Sequence, residues 1–154
     1  MTRLAVFIAT VGYSGYFPIA PGTVGSLAGL VFYLLVWWSR SPVVEVGLIV
    51  VLFTVGVWAG TTAERYFGGI DPGPIVIDEV VGMLITLAFI PVGPSGALLG
   101  FVLFRIFDVV KPYPAGRLER LHGGFGVMAD DAMAAVYANV TLRVALWAAP
   151  GWVA

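Results

Sequence analysis

Apolar residues run in long blocks along this chain, and the polar positions between the blocks are short and rich in glycine and proline. Five apolar segments stand out: Val24 to Trp38, Val43 to Ala63, Val80 to Ile90, Gly96 to Phe107 and Ala132 to Ala149. The second, VVEVGLIVVLFTVGVWAGTTA, is long enough at about 1.5 Å per residue to cross a hydrocarbon core of about 30 Å, and it predicts the clearest spanning helix. Val80 to Ile90 and Gly96 to Phe107 are shorter, and the PVGPSG between them is turn chemistry. They predict a helical hairpin that need not cross the whole membrane. Trp37, Trp38, Trp58 and Trp147 fall toward segment ends, where aromatic anchors sit at a membrane interface.

Composition agrees with the pattern. With 154 residues, 60% of them hydrophobic and only 11% charged, and with a mean hydropathy of +0.98, the chain reads as one membrane domain over residues 1–154. The expected fold is all-α: a small polytopic membrane helical bundle. The N-terminal stretch has one Arg and a short apolar run but no small-residue cleavage pattern, so it is expected to stay in the mature protein. A net charge of -1 without runs of like charge gives no support for nucleic-acid binding. The absence of cysteine excludes disulfides, thiolate nucleophiles, zinc-thiolate sites and iron-sulfur clusters. Oligomeric state has no signature here.

The few charges are concentrated between Asp71 and Glu79 and between Arg105 and Asp131, beside apolar runs. Ionisable groups packed there are costly, and they mark functional sites. If each segment crosses once, one face carries the N-terminal stretch, Glu64 to Glu79 and Asp108 to Asp131. The other carries Ser39 to Pro42, PVGPSG and the C-terminal tail. Arg3, Arg65, Arg105, Lys111, Arg117 and Arg120 then share the first face, against Arg40 and Arg143 on the second, which predicts a cytoplasmic charged face. The same parity gathers every chemically interesting residue on that face.

Four stretches carry the chemistry. FPIAPGTVGSL, Phe17 to Leu27, places Thr23 and Ser26 before an apolar helix, either as helix caps or as part of a glycine-rich cradle for a phosphate. It lacks the GK[ST] ending of a Walker loop. In DPGPIVIDEVVG an extended run delivers Asp78 and Glu79 to a helix start. A capping role accounts for one carboxylate more easily than for two, whereas a bound divalent cation relieves the repulsion of both. FRIFDVVKPYP spaces Arg105, Asp108 and Lys111 three residues apart on one helical face that Pro112 ends. An i,i+3 ion pair with a snorkelling Lys is the structural alternative to a phosphate grip. HGGFGVMADDAMAAVYA places Asp130 and Asp131 at the opening of the last apolar helix, with Ala134, Ala135 and Ala138 allowing close packing. His122, the one histidine, sits in a loop and is not expected to be the key catalyst.

Two acidic pairs, a basic-acidic-basic set and a glycine/hydroxyl turn on one face fit metal-assisted chemistry on a phosphate. Hard oxygen ligands favour magnesium or manganese. Cysteine phosphatases are excluded, one His is too few for separate histidine nucleophile and acid, and no Asp-x-Asp supports a haloacid-dehalogenase-like nucleophile.

Taken in order, APGTVGSL, IVIDEVVG, FRIFDVVKPYP and GFGVMADD resemble the phosphatidylglycerophosphatase A family of bacterial membrane lipid phosphatases, over roughly Pro18 to Ala138. Val127 and Ala129 depart mildly from the family pattern, at positions without a polar role. The resemblance implies magnesium-dependent hydrolysis of phosphatidylglycerophosphate to phosphatidylglycerol and phosphate in the bacterial cytoplasmic membrane. Carried over residue by residue, it implies substrate contacts at Thr23 and Ser26, acids at Asp78, Glu79, Asp130 and Asp131, and the Arg105, Asp108, Lys111 set. The expectation is that Asp78, Glu79, Asp130 and Asp131 hold one or two Mg2+ ions while Arg105 and Lys111 neutralise the phosphate. Asp108 would orient them, bind metal or act as base. Two alternatives come from other classes. A CDP-alcohol phosphotransferase-like enzyme also uses acids and magnesium, but its DGxxAR run with following GxxxD elements is missing. A small ion channel or transporter would line a midplane path with its acids, whereas these sit toward one face.

Overall fold

The computed structural model describes residues 1–149, and among them there are helices and no strands. They are α1 (Thr2–Ala9), a 3-10 turn (Ser14–Tyr16), α2 (Pro21–Ser39), α3 (Pro42–Phe67), α4 (Ile77–Leu87), α5 (Pro94–Val110), α6 (Ala115–Leu118) and α7 (Gly124–Ala148). Proline opens α2, α3 and α5, where its missing N–H costs nothing and its fixed φ suits the first turn. Gly68 ends α3 at φ 76, and Lys111 ends α5 in the left-handed region just before Pro112.

The architecture is built around α4. All of its residues except Ile85 are buried, and it packs against α2, α3, α5 and α7. At 11 residues it is roughly 16 Å long, too short to cross a bilayer, so it stands inside the bundle as a strut. Its partner α5 is longer, with 17 residues. Close approach of α2 depends on glycine. A Cβ on Gly25 would lie 2.7 Å from the Val76 Cβ, and one on Gly29 would lie 2.6 Å from that of Met83.

The bundle is small inside and large outside. On α2 the buried stripe is Gly22, Gly25, Ser26, Gly29, Tyr33 and Val36, while Leu27, Val31, Leu34, Leu35 and Trp38 are exposed. On α7, Ala134, Ala135 and Ala138 are buried, whereas Val136, Val140, Val144 and Trp147 face out. Helices that associate in lipid pack through small residues, because leucine gains nothing by leaving hydrocarbon. Two helices, Pro21–Ser39 and Pro42–Phe67, are long and apolar enough to cross a membrane.

The end of the bundle away from the charged segments is tied off by hydrogen bonds around the C-terminus of α4. Asn139 Nδ2 donates to the carbonyls of Ile85, Thr86 and Ala88, and Arg143 Nη2 donates to Ala88 O at 3.0 Å. Tyr33 OH donates to Ile90 O, and buried Glu45 accepts from Phe89 N. The Asn139 and Arg143 contacts satisfy carbonyls that the end of α4 leaves unpaired, and the other two serve the turn that follows it.

The sequence reading differs from the structure at three points. The APGTVGS stretch is not a turn before α2 but its first two turns. Asp130 and Asp131 do not open the last helix, because α7 begins at Gly124 and both acids lie about two turns inside it. The short N-terminal apolar run forms α1, packed on α3. The C-terminal tail beyond Ala149 lies outside the described residues.

Candidate active site

The helix directions bring the charged segments together at one end of the bundle. There the N-terminal parts of α2, α4 and α7 meet the C-terminal parts of α3 and α5. Each acid is delivered by a local device. Val76 N donates to Ala9 O at 2.9 Å, and Ile75, Val76 and Ile77 are buried, so the chain entering α4 is fixed and Asp78 and Glu79 occupy its first turn. The N-cap of α4 is Val76, so neither acid is a capping residue. On α7, Gly124 presses on α3 so closely that a Cβ would collide with the Val57 carbonyl. Gly124 N donates to Thr61 Oγ1, and Gly123 N donates to Glu64 Oε2. Winding this glycine-rich stretch into helix against α3 carries Asp130 and Asp131 inward, to 1% and 3% exposure. No side chain caps α7 and its first turn holds no acid, so capping does not account for Asp130 or Asp131.

Two acidic groups result. In the inner one, Asp78, Glu79 and Asp131 each offer a carboxylate oxygen within 4.8 Å of the others. Arg105 lies against it: Nη1 is 2.7 Å from Asp108 Oδ2 and 3.6 Å from Glu79 Oε1. In the outer one, Asp71, Glu119 and Asp130 satisfy the same 4.8 Å limit, and Lys111 Nζ bonds Asp130 Oδ2 at 2.6 Å and Glu119 Oε1 at 3.0 Å. Arg105, Asp108 and Lys111 therefore do not act as one set. The left-handed backbone at Lys111 turns its side chain away from Asp108 and toward α7.

The charges do not balance. The carboxylates of both groups, with Asp108, face only Arg105 and Lys111. Asp78 Oδ1, Glu79 Oε2, Asp130 Oδ1 and Asp131 Oδ2 are buried oxygens with no hydrogen-bond partner. Buried acceptors are normally paired, so these orphans, three in the inner group and one in the outer, leave unused ligand capacity. Burial, followed by the charge of Asp130, raises Asp71 to about 6. For Lys111, burial opposes the charge, but the hydrogen bond and charge of Asp130 outweigh it and hold the ammonium protonated well beyond its ordinary range.

The hydroxyls have other places. Ser26 is fully buried; its Oγ donates to Gly22 O at 2.8 Å and accepts from Arg105 Nη1 at 3.5 Å, so it supports the guanidinium from below. Thr23 is half-buried and lines a surface groove with Arg105. Neither caps α2, whose N-cap is Ala20. His122 is exposed in the loop before α7. Sequence reasoning passed over Asp71, Glu119 and Glu64. Buried Glu64 accepts from Asp71 N and Gly123 N, tying together the two loops that carry acids. Glu119, between Arg117 and Arg120, reads in sequence as one more solvated charge. The burial of Glu64 has no local signal.

Among the described residues, an all-α bundle with an apolar outer surface gathers two groups of acids and two cations at one end. The chain belongs to the phosphatidylglycerophosphatase A family, whose model matches residues 7–146. A Phosphatidylglycerophosphatase A from Escherichia coli is 40% identical over 136 residues, covering 84% of this chain and 76% of that protein. The Haemophilus influenzae protein of the same name is 36% identical over 140 residues, 89% of this chain and 86% of its own. A Bacteroides thetaiotaomicron protein, provisionally described as a phosphatidylinositol-3-phosphatase, is 38% identical over 151 residues, 94% of each chain. No solved structure gives a significant match. The protein is thus a phosphoric monoester hydrolase of the lipid phosphatase class.

Proposed function

We propose that this protein hydrolyses phosphatidylglycerophosphate to phosphatidylglycerol and inorganic phosphate, with magnesium, as a multi-pass protein of the bacterial cytoplasmic membrane whose site faces the cytoplasm. The observation that carries the reading is the set of orphaned, buried carboxylate oxygens on Asp78, Glu79 and Asp131, the group against which Arg105 lies. An all-carboxylate donor set without His or Cys fits a hard divalent cation. Asp78, Glu79 and Asp131 would hold it; Asp130, expected from the sequence to join them, instead belongs to the outer group with Asp71 and Glu119, where Lys111 bonds it. When bound, magnesium polarises a phosphate ester and lowers the pKa of water.

The remaining roles fall to the chain. Arg105, fixed by Asp108 and seated on Ser26, presents a planar guanidinium to the phosphate and neutralises charge that develops on its oxygens. Lys111 holds Asp130 in place and balances the outer acids. Gly22 leaves the approach open: a Cβ there would run into Glu79 Oε1 and crowd Arg105. Acids collected at one end of the bundle, rather than along a path through it, support an enzyme over a channel.

The embedding is supported by the two apolar helices and by the exposed leucines, valines and tryptophans around them. The orientation is supported by Arg65, Arg105, Lys111, Arg117 and Arg120 lying at or near the site end, against Arg40 and Arg143 at the other. The test of substrate is phosphate release by purified protein with magnesium, from phosphatidylglycerophosphate and from phosphatidylinositol 3-phosphate in matched micelles. Faster turnover of the first is expected. Preference for the second would move the head-group assignment to that of the Bacteroides relative.

A further inference from the structure

A lipid phosphatase must bring a phosphate to buried acids while the rest of its substrate stays in hydrocarbon. A groove of ≈ 540 Å³ lies between α2 and α5, lined by Thr23 on one side and on the other by Phe101, Val102, Arg105, Ile106 and the Val109–Val110 pair. Its walls are apolar except at Thr23 and Arg105. Arg105 is shared: it lines the groove, and its Nη1 also meets Asp108, Glu79 and Ser26 inside the site. Apolar side chains are exposed on every outer helix, and this groove shares Arg105 with the acid site. Of the two cavities lined by Tyr33 and Trp37, one includes Arg40, Glu45 and Phe89 at the far end, and the other lies farther along the α2 and α5 helices, between Leu30–Trp37 and Pro94–Leu98, without a charged residue.

We propose that this groove is the substrate's lateral entrance, holding the glycerol backbone and the upper part of an acyl chain of the phospholipid between α2 and α5, with Arg105 drawing the phosphate inward. The proposal rests on the phosphatase reading of the same site. Charge complementarity assigns the occupant, since a guanidinium at the edge of an apolar groove matches a molecule with an anionic phosphate on a hydrocarbon tail. An acyl chain gains little affinity by moving from lipid to an apolar groove. The groove therefore supplies register, fixing the depth at which the phosphate meets Arg105 and the acids.

Val102→Trp and Ile106→Trp each fill the groove from the outer face of α5, and Val50→Trp places the same bulk on the outer face of α3. The measurement is kcat/KM for phosphatidylglycerophosphate relative to its deacylated form, which carries the same phosphorylated head group without acyl chains. The ratio should fall by about tenfold or more in both groove variants and hold its wild-type value in Val50→Trp. Equal losses on both substrates, or an unchanged ratio, overturn the groove alone. Failure of the wild-type protein to release phosphate from phosphatidylglycerophosphate overturns the phosphatase reading itself. A second measurement needs no variant: a substrate analogue with a photoreactive acyl chain should label residues 101–110 of the unaltered protein. Labelling spread evenly over α3 and α7 contradicts a defined entrance.

Discussion

Asp131 lies about two turns inside α7, at a depth where no cap is needed, and Asp78 stands second in α4 behind a non-polar N-cap. With no capping bond to explain them, both acids remain as buried charge beside like charge. An Asp→Asn change at either position keeps the shape and removes one negative charge. Turnover at saturating magnesium should fall by about a hundredfold or more. Metal-free protein should be at least as stable as the parent, because one member of a repelling set has gone. The Tm increase on adding magnesium should shrink, and phosphate release together with thermal melts in EDTA and in magnesium reads all three effects. These acids were legible in the sequence because so few charges interrupt the apolar runs. Their partners were not. The three-residue spacing of Arg105, Asp108 and Lys111 predicts one face, but the left-handed turn at Lys111 sends its ammonium to Asp130 and Glu119. Asp71 and Glu119 hide among loop charges and enter the site only through tertiary folding.

At the scale of elements, the apolar blocks and prolines predicted four of the five long or central helices to within about a turn, and missed the first eight residues of α7. What they missed is how glycine is used. GTVGS and GGFGV read as turns, yet both are wound into helix, because Gly25, Gly29 and Gly124 let backbones approach where a side chain would collide. That winding decides the site: it places Ser26 under Arg105 and draws Asp130 and Asp131 into the interior. The length of α4 also follows from packing. Buried on nearly every side, it is enclosed by its neighbours along its length. Gly29→Leu would push α2 away from Met83, with an expected loss of about 1–3 kcal/mol and a fall in activity as Arg105 loses its support. Leu35→Ala, on the exposed face of the same helix, should change stability by less than about 0.5 kcal/mol. Thermal unfolding in one detergent compares the two, and equal losses would show that the α2–α4 contact is not what positions the site.

For the molecule as a whole, the account has a polar end and an apolar flank. A single change of parity along the chain would scatter the acids of the two groups between the ends; instead the helices alternate so that both groups form at one, while buried Glu45 stands at the other and accepts from Phe89 N. Because the chain has no cysteine, orientation is open to direct labelling. A cysteine at Arg117 should be shielded from a membrane-impermeant thiol reagent in intact cells, and one at Ser41 should react. The reverse pattern would place the site on the outer face. The central claim is that the orphaned carboxylates form a divalent-cation site on which lipid dephosphorylation depends. Phosphate release from phosphatidylglycerophosphate by EDTA-stripped protein, followed through a magnesium titration, tests it most directly. Activity should be lost on stripping and restored by magnesium in a saturable manner, whereas full turnover in metal-free buffer would contradict the account.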